Sequence, residues 1–125
     1  MEYAVEGLEV YQLSETFSDK IWSIVDGWDY FLKRNLGSQM TRAADSISAN
    51  IAEGYGRHFF GESKNFYFYA RWSVLESRAW LGKCNRRKLI TDVEYKELLE
   101  ETDVILAKLI NYIKFVQKQQ QKLKK

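Results

Sequence analysis

No proline occurs anywhere in this chain of 125 residues, and apolar side chains recur along it at spacings of three and four, the repeat of one face of an α-helix. Proline costs about 3 kcal/mol inside a helix, so its absence fits a protein made mostly of long helices. Four periodic stretches are predicted. The first runs from about Val10 to Lys33, with Leu13, Phe17, Ile21, Ile24, Val25, Trp28, Phe31 and Leu32 recurring, and ends near Asn35 and Gly37. The second covers Ser38 to Gly54 or Arg57, with Gly54 and Gly56 as stop signals. A turn at Phe60 and Gly61 leads to the third, about Ser63 to Asn85. The fourth opens at Thr91, whose spacing to Glu94 makes a capping box, and runs through Leu98, Ile105 and Leu109 toward Val116. Short connections between long helices imply antiparallel neighbours. The expected fold is all-α, an antiparallel up-down-up-down four-helix bundle. It forms a single domain over residues 1–125, with a flexible N-terminus (about 1–7) and a basic, fraying C-terminal tail (about 117–125).

The second stretch carries two stripes. Met40, Ala44, Ile47, Ile51 and Tyr55 share one face, while Arg42, Ser46, Asn50, Glu53 and Arg57 lie beside it. Polar groups that close to a core need partners, so Arg42, Asn50, Glu53, Ser73 and Glu76 are expected to form a structural polar network tying the second helix to the third. The third stretch is apolar nearly all round, with Phe66, Ala70, Ser73, Ser77 and Leu81 on one face and Phe68, Trp72, Leu75 and Ala79 on another. In a four-helix bundle the second face points outward and is most simply covered by another subunit. Phe68 and Trp72 are therefore the expected oligomer interface.

Charge is unevenly placed. Five lysines and no acid lie between Lys114 and Lys125, leaving the rest of the chain slightly acidic. A second basic cluster comprises Lys83, Arg86, Arg87 and Lys88. Such patches serve either as solubilising, dipole-complementing helix ends or as phosphate contacts; in the second case Lys83, Arg86, Arg87, Lys88, Lys114, Lys118 and Lys122 are the binding residues, with interleaved Tyr and Trp free to stack on unpaired bases.

Catalytic chemistry finds little material. Glu53 and Glu76 could converge as paired carboxylates, but the chain has one histidine, His58, whereas a di-iron bundle needs two Glu-x-x-His units. His58 and Glu62 make at most an accidental metal pair. The lone Cys84 excludes an internal disulfide framework and lacks a nearby histidine partner. No phosphate-cradling glycine motif is present. No catalytic residue, metal or cofactor is expected. No leader and no apolar run of membrane-spanning length stands out, so a cytoplasmic protein without membrane contact is expected.

The string R-A-A-D-S-I-S-A-N-I-A-E-G-Y-G-R, Arg42 to Arg57, followed by Phe66, Ala70, Ser73 and Glu76 in NFYFYARWSVLES, resembles the bacterial four-helix bundle proteins related to the 23S rRNA intervening-sequence protein. That family also holds the accessory variability protein of diversity-generating retroelements. The resemblance extends from GLEVYQL at Gly7 to the last helix. It departs at Ser48, where many members carry proline, and at Thr41-Arg42-Ala43, where R-R-A is usual. It implies a homopentameric ring and, through the retroelement relatives, a possible protein partner such as a reverse transcriptase. The functional expectation is a non-enzymatic homo-oligomer that binds RNA or DNA, with a protein-protein adaptor as the alternative.

Overall fold

A computed structural model of the chain describes residues 4–57 and 59–124. Met1 to Tyr3, His58 and Lys125 lie outside the described residues, and with them the His58–Glu62 pairing and the outermost parts of both terminal segments. Four long helices carry the fold: α1 (Glu9–Asp26), α2 (Ser38–Tyr55), α3 (Phe60–Arg86) and α4 (Asp92–Lys124). The described residues contain no strand.

Helix α1 stops well short of Lys33. At its end the Gly27 and Trp28 amides bond to Ile24 O and Val25 O. Asp29 then begins a new helical turn, Tyr30–Leu32, by accepting a hydrogen bond from the Leu32 amide at 2.9 Å. A π-helical turn, Lys33–Gly37, leads directly into α2. The spacing of Trp28, Phe31 and Leu32 is helical throughout, so the apolar repeat continues across a break set by the Asp29 cap. Gly37 is buried where α2 begins, and a Cβ on it would sit 2.7 Å from Val25 Cγ1.

Of the two expected stop signals, Gly56 caps α2, while Gly54 is a packing contact. A Cβ there would lie 2.5 Å from the Tyr67 ring, and α2 ends one residue later, at Tyr55. Helix α3 begins at Phe60, three residues early, and α4 continues through Lys124 rather than stopping at Val116. Both bonds of the capping box form: the Glu94 amide donates to Thr91 Oγ1 (3.0 Å) and the Thr91 amide to Glu94 Oε1 (2.8 Å).

Pairings between helices run in opposite directions throughout. Ser18 meets Asp45 and Ser48 meets Glu15 across α1 and α2. Met40 meets Cys84, and Ser46 meets Ser73, across α2 and α3. Arg78 meets Thr102 and Tyr67 meets Tyr112 across α3 and α4; Lys20 pairs with Glu101 and Glu9 with Lys108 across α1 and α4. Each helix packs on its neighbours in sequence, and α4 closes the ring against α1, which is an up-down-up-down bundle. Phe17, Ile21, Met40, Ile47, Ile51, Tyr67, Val74, Leu81, Ile105 and Leu109 fill the centre. Three of the buried hydroxyls are satisfied within their own helices: Ser14, Ser77 and Thr102 donate to Val10 O, Ser73 O and Leu99 O.

Candidate nucleic-acid interface

Helix α3 closes with two backbone bonds that wrap its last turn, Leu89 N to Cys84 O (2.9 Å) and Lys88 N to Asn85 O (3.2 Å). This closure requires a left-handed residue, usually glycine. Here it is Lys88, at φ 59, the one non-glycine residue of positive φ among those described. A Cβ in that region costs roughly 1–2 kcal/mol. Arg86, Arg87 and Lys88 are all exposed, and none of them forms an ion pair with a described residue. Lys83 lies half-buried one turn earlier, with its ammonium 5.9 Å from the centre of the Trp80 ring.

The second basic group is exposed but remote. Lys114, Lys118 and Lys122 project from the far half of α4. At 1.5 Å per residue, Lys114 stands roughly 33 Å from the start of that helix. The seven basic residues therefore form two clusters at opposite ends of the bundle rather than one surface within a single copy of the chain. Between them, an open groove of about 430 Å³ separates α1 from α4 and is lined by Asp19, Lys20, Glu94, Glu97 and Glu101. Its charge disfavours phosphate.

The expected network between α2 and α3 does not assemble within one copy. Arg42, Glu53 and Glu76 are exposed. Glu53 pairs with Arg57 along its own helix at 3.2 Å, and half-buried Asn50 donates to Ser46 O at 2.8 Å. Only Ser73 crosses, reaching Ser46 Oγ at 3.2 Å. The seam between these helices turns small residues inward and leaves long side chains at its margin. A linked set of interhelical polar contacts joins α1 to α2 instead. Ser18 donates to Asp45 (2.8 Å), while Ser48 and Tyr11 donate to the two oxygens of Glu15 at 3.1 and 2.6 Å. The hydrogen bond to Glu15, then burial, pushes the Tyr11 hydroxyl up to about 12. Ser48, which stands where the resemblance expects proline, makes a bond that proline could not. Arg78 is also committed to structure, donating to Thr102 Oγ1 (2.6 Å) and Asp103 Oδ1 (2.7 Å).

Phe68, Trp72 and Leu75 are 37%, 57% and 44% exposed, so the second apolar face of α3 does point away from the bundle's own core. Tyr67, between Phe66 and Phe68 in the chain, belongs to the core. The candidate carboxylates Glu53 and Glu76 stand in solvent rather than in a shared pocket. Cys84 is fully buried, its thiol 3.6 Å from Met40 Sδ. Burial pushes that thiol up to about 11, which keeps it protonated and unreactive at neutral pH. Among the described residues no group of three or more His, Cys, Asp and Glu could hold a metal, and no helix is long and apolar enough to cross a membrane.

Comparison with known proteins extends the picture. A family model described as 23S rRNA-intervening sequence protein matches residues 6–111, a span that includes Lys83 to Lys88 and stops short of Lys114. A crystal structure of a protein of unknown function, from the S23 ribosomal protein family of Bacteroides thetaiotaomicron VPI-5482, is similar along its length. The two share 25% identity over 84% of this chain and 98% of that one, with a TM-score of 0.74. No curated protein matches the chain.

Proposed function

The chain belongs to the 23S rRNA-intervening sequence protein family, and from that premise we propose that it is a non-enzymatic, cytoplasmic homo-oligomer that binds RNA or DNA through exposed basic side chains. The observation that carries the reading is the α3–α4 turn. Three exposed cations with no ion-pair partner among the described residues occupy consecutive positions there, and the last of them, Lys88, holds a left-handed backbone that glycine would adopt with less strain. A residue kept at a conformational cost argues for a use of its side chain. Repetition of the turn around a ring of subunits would multiply a modest charge into a dense positive rim, and phosphate affinity follows such local density. The exposed Phe68, Trp72 and Leu75 supply a surface for ring assembly, in which five copies is the number implied by the family resemblance.

Salt-dependent binding tests the reading. Affinity should fall with salt at a log-log slope of about −0.7 per phosphate contacted on single strands or −0.9 on B-form DNA. Charge reversal of Arg86 and Arg87 should weaken all sequences alike, because phosphate contacts position without specifying. Lys88→Gly should stabilise the fold by roughly 1 kcal/mol while weakening binding. Binding no tighter than that of a charge-matched control protein at physiological salt would overturn the proposal. The adaptor reading draws on the same apolar face of α3. It becomes the better account if light scattering finds a monomer at tens of micromolar, and Trp72→Glu, which would bury a charge in a subunit contact, should otherwise break the assembly.

A further inference from the structure

The basic turn shares its end of the bundle with an aromatic cluster. Tyr30 and Phe31, 75% and 71% exposed, are the two most exposed large aromatics among the described residues. They lie in the short helical turn between α1 and α2, at the end where α3 finishes and α4 begins. The bond from Cys84 to Met40 and the burial of Leu36 and Ile90 in one cluster hold the two connections there. Asp29 caps the aromatic turn, and buried Leu36 anchors the chain just beyond it. The two rings are thus presented outward from a fixed backbone. Arg34 reaches the Tyr30 hydroxyl at 3.4 Å, and Lys33 stands 3.8 Å from Asp26. Beside them an open groove of about 290 Å³, lined in part by Trp22, Lys33, Ser38 and Thr41, separates α1 from α2. Trp22 is itself 61% exposed.

We infer that this end of the bundle is a platform for an unpaired nucleotide strand, with Tyr30 and Phe31 stacking on bases while Arg86, Arg87 and Lys88 hold the neighbouring phosphates. The inference rests on the nucleic-acid reading above and adds the class of ligand and the residues that choose it. Rings fixed outward give a stacking surface that any base can use, and cations nearby supply the attraction for its backbone. Neighbouring helices lie about 8–10 Å apart, so a short strand crossing this end can meet both the aromatic turn and the basic one. Paired bases keep their faces inside the duplex. A duplex can therefore use only the cations, and the aromatic turn becomes the element that prefers unpaired strands.

Fluorescence anisotropy with the full chain at physiological salt tests this, using a short labelled RNA strand, the DNA strand of the same sequence, and the blunt duplex of each. Single strands of either sugar should bind more tightly than their duplexes, and the tighter of the two identifies the source. The double variant Tyr30→Ala with Phe31→Ala should lose about tenfold or more on single strands and leave duplex binding, melting temperature and molecular mass unchanged. Exchanging the two rings, Tyr30→Phe with Phe31→Tyr, should restore binding. Charge reversal of Arg86 and Arg87 should lower affinity for strands and duplexes together. Single-strand affinity unchanged in the double alanine variant, with loss only on charge reversal, would remove the platform and leave the charge-driven reading standing. A change of mass in the alanine variant would make the pair a subunit contact and likewise overturn the inference. Failure of every strand to exceed a charge-matched control would bring down both readings.

Discussion

The seam between α2 and α3 and the seam between α1 and α4 are built on different terms. Along the first, the backbones approach closely: Ala43, Ala44 and Ala70 are buried, Gly54 lies against the Tyr67 ring, and the hydroxyls of Ser46 and Ser73 meet. Along the second, an open acidic groove separates the helices at the surface; the bridge Lys20–Glu101 spans its margin, and Glu9–Lys108 joins the same two helices further along, both at 3.0 Å. The first seam is specified by shape, where a misplaced methyl is felt at once. The second is held at its rim by exposed charge, which contributes about 0–1 kcal/mol per pair. A bundle of four similar helices can therefore be rigid on one side and forgiving on the other.

The largest test of that contrast is Tyr67→Ala, which empties the middle of the tight seam and should destabilise the fold by about 3–5 kcal/mol in denaturant titration at fixed chain concentration. Gly54→Ala comes next. Its new methyl meets the Tyr67 ring, at a cost of about 1–3 kcal/mol, partly offset by the gain of about 1 kcal/mol in helix propensity. A net stabilisation would mean that the ring can swing aside and the seam is looser than described.

The tight seam also has a pH signature at Cys84. Burial favours the protonated thiol in the fold, while the unfolded chain releases the proton near its ordinary value of 9.0. This contribution to stability is complete below pH 9 and is lost as pH rises through about 11. The melting temperature should fall across that window, and Cys84→Ala should flatten part of the decline. At the bottom of the scale, Lys20→Ala on the loose seam should cost less than about 1 kcal/mol, and Glu53→Ala, which removes only an exposed pair along one helix, about 0.5 kcal/mol or less. A larger loss on Glu53→Ala than on Lys20→Ala would reinstate Glu53 as architecture, buried between subunits rather than within one.

Much of the fold was legible because helical periodicity and capping are local. The buried face of α2 through Met40, Ala44, Ile47 and Ile51, the Thr91–Glu94 box and the outward placement of Phe68 and Trp72 all follow from spacing along a single helix. The misreadings arose where a local signal serves a distant partner. Gly54 reads as a stop and is a notch for Tyr67. Trp28, Phe31 and Leu32 keep helical spacing across a break made by Asp29. Asn50, Glu53 and Glu76 stand near an apolar stripe, yet the interhelical contacts fell to Ser18, Asp45, Ser48 and Glu15 because the register of α1 against α2 brings those side chains opposite one another. In the candidate interface, the basic run Lys83 to Lys88 was visible as composition. The exposure of Tyr30 and Phe31 was not, since Phe31 also falls on the apolar repeat of the first helix.

The two seams also differ in how much chain lies between the residues they join. Ser46 and Ser73 are 27 positions apart, whereas Lys20 and Glu101 are separated by 81. The entropy of closing a loop grows with the logarithm of its length, so the α2–α3 hairpin can form from neighbouring chain while the α1–α4 seam waits for everything between. Close packing and short separation coincide in the first, and open packing and long separation in the second. The expected order of events is that the α2–α3 hairpin forms early, whereas α1 docks on α4 last and is first to leave. Stopped-flow kinetics should then show Tyr67→Ala slowing folding and Lys20→Ala only hastening unfolding.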